Sequence, residues 1–264
     1  MYLVCLAMGK RAACALVILC CLLIPGLSFG ADVYGLRPSA PFGVFTTLSA
    51  QSPAKGEMAF SGTYETIFNS PFYRFGGNFS YGLLDRVELS LSVSEQEDGF
   101  EDIALGVKHR FIDEGATGLS LAYFVTASLD TGDNAVSTDG RFGGGLIMSK
   151  KIGPVFSHTN IMYAVPGDSD LYSEIGFSTG LVFSAAHNLW LLGELDVRSS
   201  HFSNEIDVFE PKLGYRVRVV ENLYIDLGVG VDLKGDPAEY RFMTALSFGY
   251  PFRREVQRIY EDRR

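Results

Sequence analysis

Between Leu213 and Leu233 the chain reads LGYRVRVVENLYIDLGVGVDL, two alternating runs around a break at Val220-Glu221-Asn222. In the second run Leu223, Ile225, Leu227, Val229, Val231 and Leu233 are apolar, with Tyr224, Asp226, Gly228, Gly230 and Asp232 between them. Successive side chains of a strand point to opposite faces, so this run has one continuous apolar face and one face of carboxylates and glycines. Its 11 residues are long for a soluble strand. They match the roughly 9–11 residues that a tilted strand needs to cross a bilayer.

The same unit recurs along the chain. Segments at about 56–67, 72–82, 86–94, 101–111, 118–129, 140–150, 155–165, 171–183, 188–199, 206–219, 223–233 and 239–252 each read as a strand. Connections after the even-numbered segments are short, and most after the odd-numbered ones are polar, acidic and often longer. An even count of hairpin-linked strands returns both ends to one side, with short turns in the periplasm and longer loops outside. The pattern predicts an all-β fold, a single up-and-down antiparallel transmembrane β-barrel of 12 strands over 56–252.

The remaining segments read differently. Lys10 and Arg11 precede an apolar run from Ala12 to Leu23, and small residues surround Ser28-Phe29-Gly30 before Ala31. That layout predicts a secretory signal peptide over 1–30. The proline-bearing stretch 31–55 is a lead-in, expected either in the periplasm or as a plug tucked into the barrel mouth. The charged tail RREVQRIYEDRR at 253–264 is expected in the periplasm. Before it Phe248, Tyr250 and Phe252 resemble the closing aromatic signal read by the outer-membrane assembly machinery.

Composition narrows the function. Cys5, Cys14, Cys20 and Cys21 all fall in the expected signal, so no disulfide framework holds the mature chain. No CxxC, His/Cys cluster or HExxH is present, so no metal and no cofactor is expected. Without Lys10 and Arg11, 20 basic side chains face 31 acidic ones, a net charge of −11. Nucleic acid needs a basic face and is excluded as a partner. The acidic residues of the longer loops (Glu95, Glu97, Asp98, Asp130, Asp133, Asp139, Asp168 and Asp170) suggest a negative outer mouth. That mouth would exclude anions or share divalent ions with lipopolysaccharide, or it is ordinary solvated loop.

By parity the wall facing the lumen carries Arg74, Arg86, Glu88, Asp102, Lys108, Arg110, Glu174, Glu194, Asp196, Arg198, Glu210, Lys212, Arg216, Arg218, Asp226, Asp232 and Arg241. Charges withdrawn from water need partners, and mixed signs on neighbouring strands supply them. One reading is therefore a lumen filled by paired side chains, a structural barrel that conducts nothing. The other is a narrow polar channel for a small solute, for which Gly106, Gly176, Gly180, Gly214, Gly228 and Gly230 would make room or merely ease curvature.

Four segments, YGLLDRVELSLSV, DIALGVKHRF, LAYFVTASLDTGD and NLYIDLGVGVDL, together resemble outer-membrane proteins of the meta-pathway phenol-degradation family, proposed transporters of hydrophobic compounds. The resemblance covers most of the mature chain. It implies a bacterial outer membrane location, lipid neighbours, and passage of small, aromatic or hydrophobic molecules. That family often has a proline before the TGD, where this chain has Leu129-Asp130.

A lipid hydrolase is the competing class. His201-Phe202-Ser203-Asn204 resembles the H-x-S-N motif of lipid A deacylases and the His-Ser pair of outer-membrane phospholipase A. An imidazole can take the serine proton, and strand parity turns His201 and Ser203 toward lipid. The following Glu205-Ile206-Asp207 departs from the deacylase pattern.

Overall fold

The computed structural model describes residues 36–68, 70–96, 99–100, 103–115, 118–129, 140–199, 205–234 and 238–250. The expected signal 1–30, Asp102, the His201 and Ser203 motif and the tail 253–264 lie outside the described residues.

Twelve strands form one sheet: β1 (Met58–Ile67), β2 (Tyr73–Leu84), β3 (Val87–Gln96), β4 (Ile103–Ile112), β5 (Leu119–Leu129), β6 (Arg141–Ile152), β7 (Val155–Pro166), β8 (Glu174–Ala186), β9 (Leu189–Ser199), β10 (Ile206–Val220), β11 (Leu223–Asp232) and β12 (Glu239–Tyr250). Gly99–Phe100 extends the sheet beside the end of β3. Each strand pairs antiparallel with its sequence neighbours. β1 pairs with β12 from Met58↔Tyr250 to Ile67↔Arg241, which closes the ring.

The boundaries follow the alternation to within a few residues, with two differences. The strand expected from Leu171 starts at Glu174, where pairing to β7 begins at Ala164. Glu95, expected in a loop, lies in β3 one residue before its end, paired with Phe75 and Phe100. The hairpin between β6 and β7 needs only Gly153 and Pro154, because Gly153 takes φ +60° without a side-chain clash.

The outer face is predominantly apolar. Leu213, Phe142, Leu146, Ile161, Ile175 and Leu246 all stand out from the wall, and Leu213 is 68% exposed. A water-soluble protein does not carry so continuous an apolar surface, whereas a bilayer core demands it. Neighbouring aromatics tie adjacent strands on this face, Phe60 with Phe79 at 4.9 Å and Tyr64 with Phe75 at 4.7 Å between ring centroids. The protein is a closed transmembrane β-barrel.

Residues 36–57 form no strand. They run inside the barrel, where Val44, Thr47 and Ala50 are completely buried. The segment leaves through Lys55 and Gly56 at the short-turn end and continues into β1.

A charge placed in the lipid belt measures the barrel's depth. Leu213→Arg, midway along β10, is expected to destabilise the folded barrel by roughly 2–4 kcal/mol, and Val220→Arg near the short-turn edge by about 0–1 kcal/mol. Urea titration of the vesicle-inserted protein checks both, and equal costs would contradict the assigned membrane position.

Candidate functional site

Alternation commits every second side chain to the lumen, where a charge must find a partner within reach. Lys212 on β10 is the hub. Its Nζ lies 2.9 Å from Glu194 Oε1, 3.5 Å from Asp196 Oδ2 and 3.5 Å from Glu210 Oε2. Arg198 reaches Asp196 at 3.1 Å, and Arg241 reaches Glu210 at 3.3 Å and Glu65 at 3.6 Å. Arg74 also meets Glu65, at 3.7 Å. Cations and carboxylates thus alternate across β9, β10, β12, β1 and β2. The bridge from Glu210 to Arg241 passes over β11 at Gly230, where an added Cβ would come within 3.1 Å of the Glu210 carboxyl carbon.

Three further pairs lie elsewhere on the wall. Arg216 forks onto Asp226 through two 2.7 Å hydrogen bonds. Lys108 meets Glu88 at 2.7 Å, and Arg141 meets Glu174 at 3.1 Å near the long-loop end. Asp232 accepts hydrogen bonds from the Lys234 and Phe209 amides and so closes the edge where β10 and β11 separate.

Glu88, Lys108, Glu174, Glu194, Asp196, Glu210, Lys212, Arg216, Asp226 and Asp232 are all buried on the inner wall. Arg74, Arg198 and Arg241 are on the same face and slightly more open, at 13–14% of their side-chain surface. Three of the expected lumen residues stand at the short-turn end of the barrel. Arg86 sits in the turn before β3, 54% exposed and paired with Asp113. Arg110 also binds Asp113, at 2.6 Å, and Arg218 donates to the His187 carbonyl. Arg110 and Arg218 stand opposite the inward Ala122 and Tyr224, at the last lumen-face positions before the register shifts, and so form a rim at the short-turn end.

The wall grips the enclosed segment by its backbone. Glu194 Oε2 accepts 2.9 Å hydrogen bonds from the Thr46 and Thr47 amides, and Oε1 accepts 2.6 Å from the Thr46 hydroxyl. Lys108 donates to the carbonyls of Ser49 at 3.1 Å and Gln51 at 2.8 Å. Arg216 donates to the Pro41 carbonyl at 3.0 Å. The Ala50 amide donates to Ser149 Oγ, which lies 2.8 Å from His158 Nδ1. In the other direction Arg37 of the segment donates to Thr63 and Ser94 of the wall.

Apolar packing supplies the rest. Leu36, Leu48 and Ala50 pack with Ala122, Phe124, Ile147, Met162 and Ala164. Ala40, Val44 and Phe45 pack with Phe156, Val182, Trp190, Leu192 and Tyr224. The inner wall therefore carries most of its apolar clusters over β5–β9, interspersed with Ser149, His158 and Asn160, and its largest ion network from β9 round to β2. Gly180, Gly214 and Gly228 are explained by the same segment. A Cβ at Gly180 would stand 2.8 Å from Val44, and one at Gly214 2.7 Å from the Phe45 ring. They make room for the chain's own segment.

Alternation did not reveal Glu65 or Arg141, because only the greasy face of 56–67 was distinct and 140–150 is too rich in glycine for a clear phase. It was also silent on the inward Phe124, Ile147 and Trp190, since runs such as LAYFV and LWLL are apolar on both faces. Among the described residues, no cluster of His, Asp and Glu is arranged to hold a metal ion.

A closed barrel with a lipid-matched outer face and a polar, occupied lumen belongs to the outer-membrane β-barrel class. Solved structures of that class are similar in shape. An outer-membrane channel of Pseudomonas putida F1 matches with a TM-score of 0.60 at 12% identity, over 76% of this chain and 98% of that one. The NanC porin matches with 0.57 at 9% identity, over 72% and 98%. The KdgM porin in complex with disordered oligogalacturonate matches with 0.55 at 7% identity, over 72% and 98%. No known family profile and no curated protein sequence matches the chain.

The ion hub gives a stability test. Lys212→Met leaves three buried carboxylates around an apolar side chain and is expected to cost roughly 3–5 kcal/mol. Glu194→Gln in the same chain should recover part of that loss, because it removes one of the stranded charges. Unfolding midpoints of the two single variants and the double variant check it, and strict additivity would refute the coupling.

Proposed function

We propose that this protein is a channel of the bacterial outer membrane for small solutes. The observation that carries the reading is the width of the barrel: its wall encloses a whole segment of non-strand chain, where a smaller barrel would be filled by its own side chains. Beside the segment a cavity is lined by Leu36, Phe45 and Met162 on one hand and Arg37, Glu65, Asp196 and Arg198 on the other. With the segment in place this cavity holds about 30 Å³, room for little more than water. The resemblance to the phenol-degradation family makes an aromatic or hydrophobic compound the proposed cargo, and the likeness to solved channels supports passage of small solutes in general.

The proposal includes export. Residues 1–30 act as a removable signal, the short turns and the tail 253–264 face the periplasm, and the aromatic end of the last strand engages the assembly machinery. Lipid surrounds the belt, and lipopolysaccharide meets the long loops.

A non-conducting structural barrel is the second reading, and the occupied lumen favours it. For the lipid hydrolase, no structural observation adds to the His201 and Ser203 motif.

Liposomes holding the purified protein are expected to admit at least one of a small aromatic acid and a neutral aromatic faster than protein-free vesicles, and faster than a sugar. Entry of none of them would remove the open-channel reading. Release of fatty acid from lipopolysaccharide, lost in His201→Ala and Ser203→Ala, would replace it with the hydrolase.

A further inference from the structure

The enclosed segment has the attachments of a moving part. Among the described residues no ladder of the sheet includes one before Met58, and the ring closes through β1 and β12 without it. Its foot is tied to the wall by the Gly56 amide on the Gly82 carbonyl at 2.8 Å and the Gly82 amide on the Glu57 carbonyl at 2.9 Å. Gly56 takes φ +80° with open space around it, so the chain can turn there without collision.

The charges that hold the segment point the same way. Each of the three wall ions that bind its backbone also has a partner on the wall: Glu194 with Lys212, Lys108 with Glu88, and Arg216 with Asp226. A static core piece, once removed, strands the buried charges that bound it, at a cost of several kcal/mol each. Here withdrawal leaves every one of them still paired and newly hydrated. The wall is built to stand both with the segment and without it.

We infer that residues 36–55 are a gate, pivoting at Lys55-Gly56 and held shut by Glu194, Lys108 and Arg216. This rests on the channel reading and adds its regulation: solute passes only when the segment leaves the lumen. Opening exchanges backbone bonds from wall ions to water and also hydrates the apolar contacts of Leu48 and Val44, so each ion anchor sets part of the balance. Glu194, with three bonds to Thr46 and Thr47, is the strongest of the three.

The test locks the gate covalently. Ser39 of the segment and Ser61 of β1 have hydroxyl oxygens 3.2 Å apart, so the Ser39→Cys/Ser61→Cys double variant can form a disulfide across the contact. The whole chain is expressed, purified from the outer membrane and inserted into planar bilayers in potassium chloride. Conductance is expected under reductant, to fall at least tenfold on oxidation, and to return on reduction, while either single variant ignores the oxidant. Glu194→Gln should raise the open fraction severalfold with an unchanged β-sheet spectrum. Equal conductance in the reduced and oxidised double variant overturns the gate and leaves the channel standing. A protein closed in both states but opened reversibly by dilute urea makes the segment a permanent plug, which also overturns the gate. A protein silent in urea as well removes the channel reading itself.

Discussion

The pairing of β1 with β12 is the constraint on which everything else depends. A bilayer offers no hydrogen bond to a bare strand edge, so ten consecutive residues of β1 must meet ten of β12 or the sheet cannot stay in lipid. Once the ring is shut, parity admits no exceptions along the wall. Leu213 must face lipid because Lys212 and Gly214 face inward, and shifting any strand by one residue would put its charges in hydrocarbon and its leucines in the lumen. Arg110 and Arg218 keep that parity up to the last paired position before the register shifts, and Arg86 lies in the turn beyond it.

Inside the ring the governing problem is charge in a confined space. The solution is a relay in which each carboxylate serves two or more donors. Glu65 stands between Arg74 and Arg241, and Glu210 between Arg241 and Lys212. Gly230 contributes by having no side chain, since the Glu210–Arg241 contact crosses the strand that lies between them. Glu194 connects this relay to the enclosed segment through Thr46 and Thr47, so wall and segment share one electrostatic system.

The fold was legible because its signal is repeated 12 times and each copy is constrained by the same lipid face. Val87, Leu89, Leu91 and Val93 can be read as a strand face without knowing any neighbour. The ion relay was legible only as a list of inward charges, since which carboxylate meets which cation depends on register and on absences such as Gly230. Least legible was the segment 36–57. Thr46 and Val44 have no periodic partners, and their places are set by Glu194 and Gly180, more than 130 residues further on. Gly180, Gly214 and Gly228, which looked like room for cargo, are matched to Val44 and Phe45 instead. The alternation of β5 and β6 hid Phe124 and Ile147 for a simple reason: a strand with lipid on one side and an apolar core on the other has no polar face to mark the difference.

The outward side chains bear on how such proteins diverge. A position like Phe142 or Ile175 touches acyl chains that have no fixed shape, so leucine, valine or phenylalanine serves there almost equally well. The inward charges change in sets, because a swap at Lys212 is tolerated only if Glu194, Asp196 and Glu210 change with it. One half of the wall therefore drifts freely and the other half moves in jumps. Barrels can in this way keep one backbone path while nearly all residue-by-residue likeness erodes, and kinship between them is recorded in the order of hairpins long after it has left the letters.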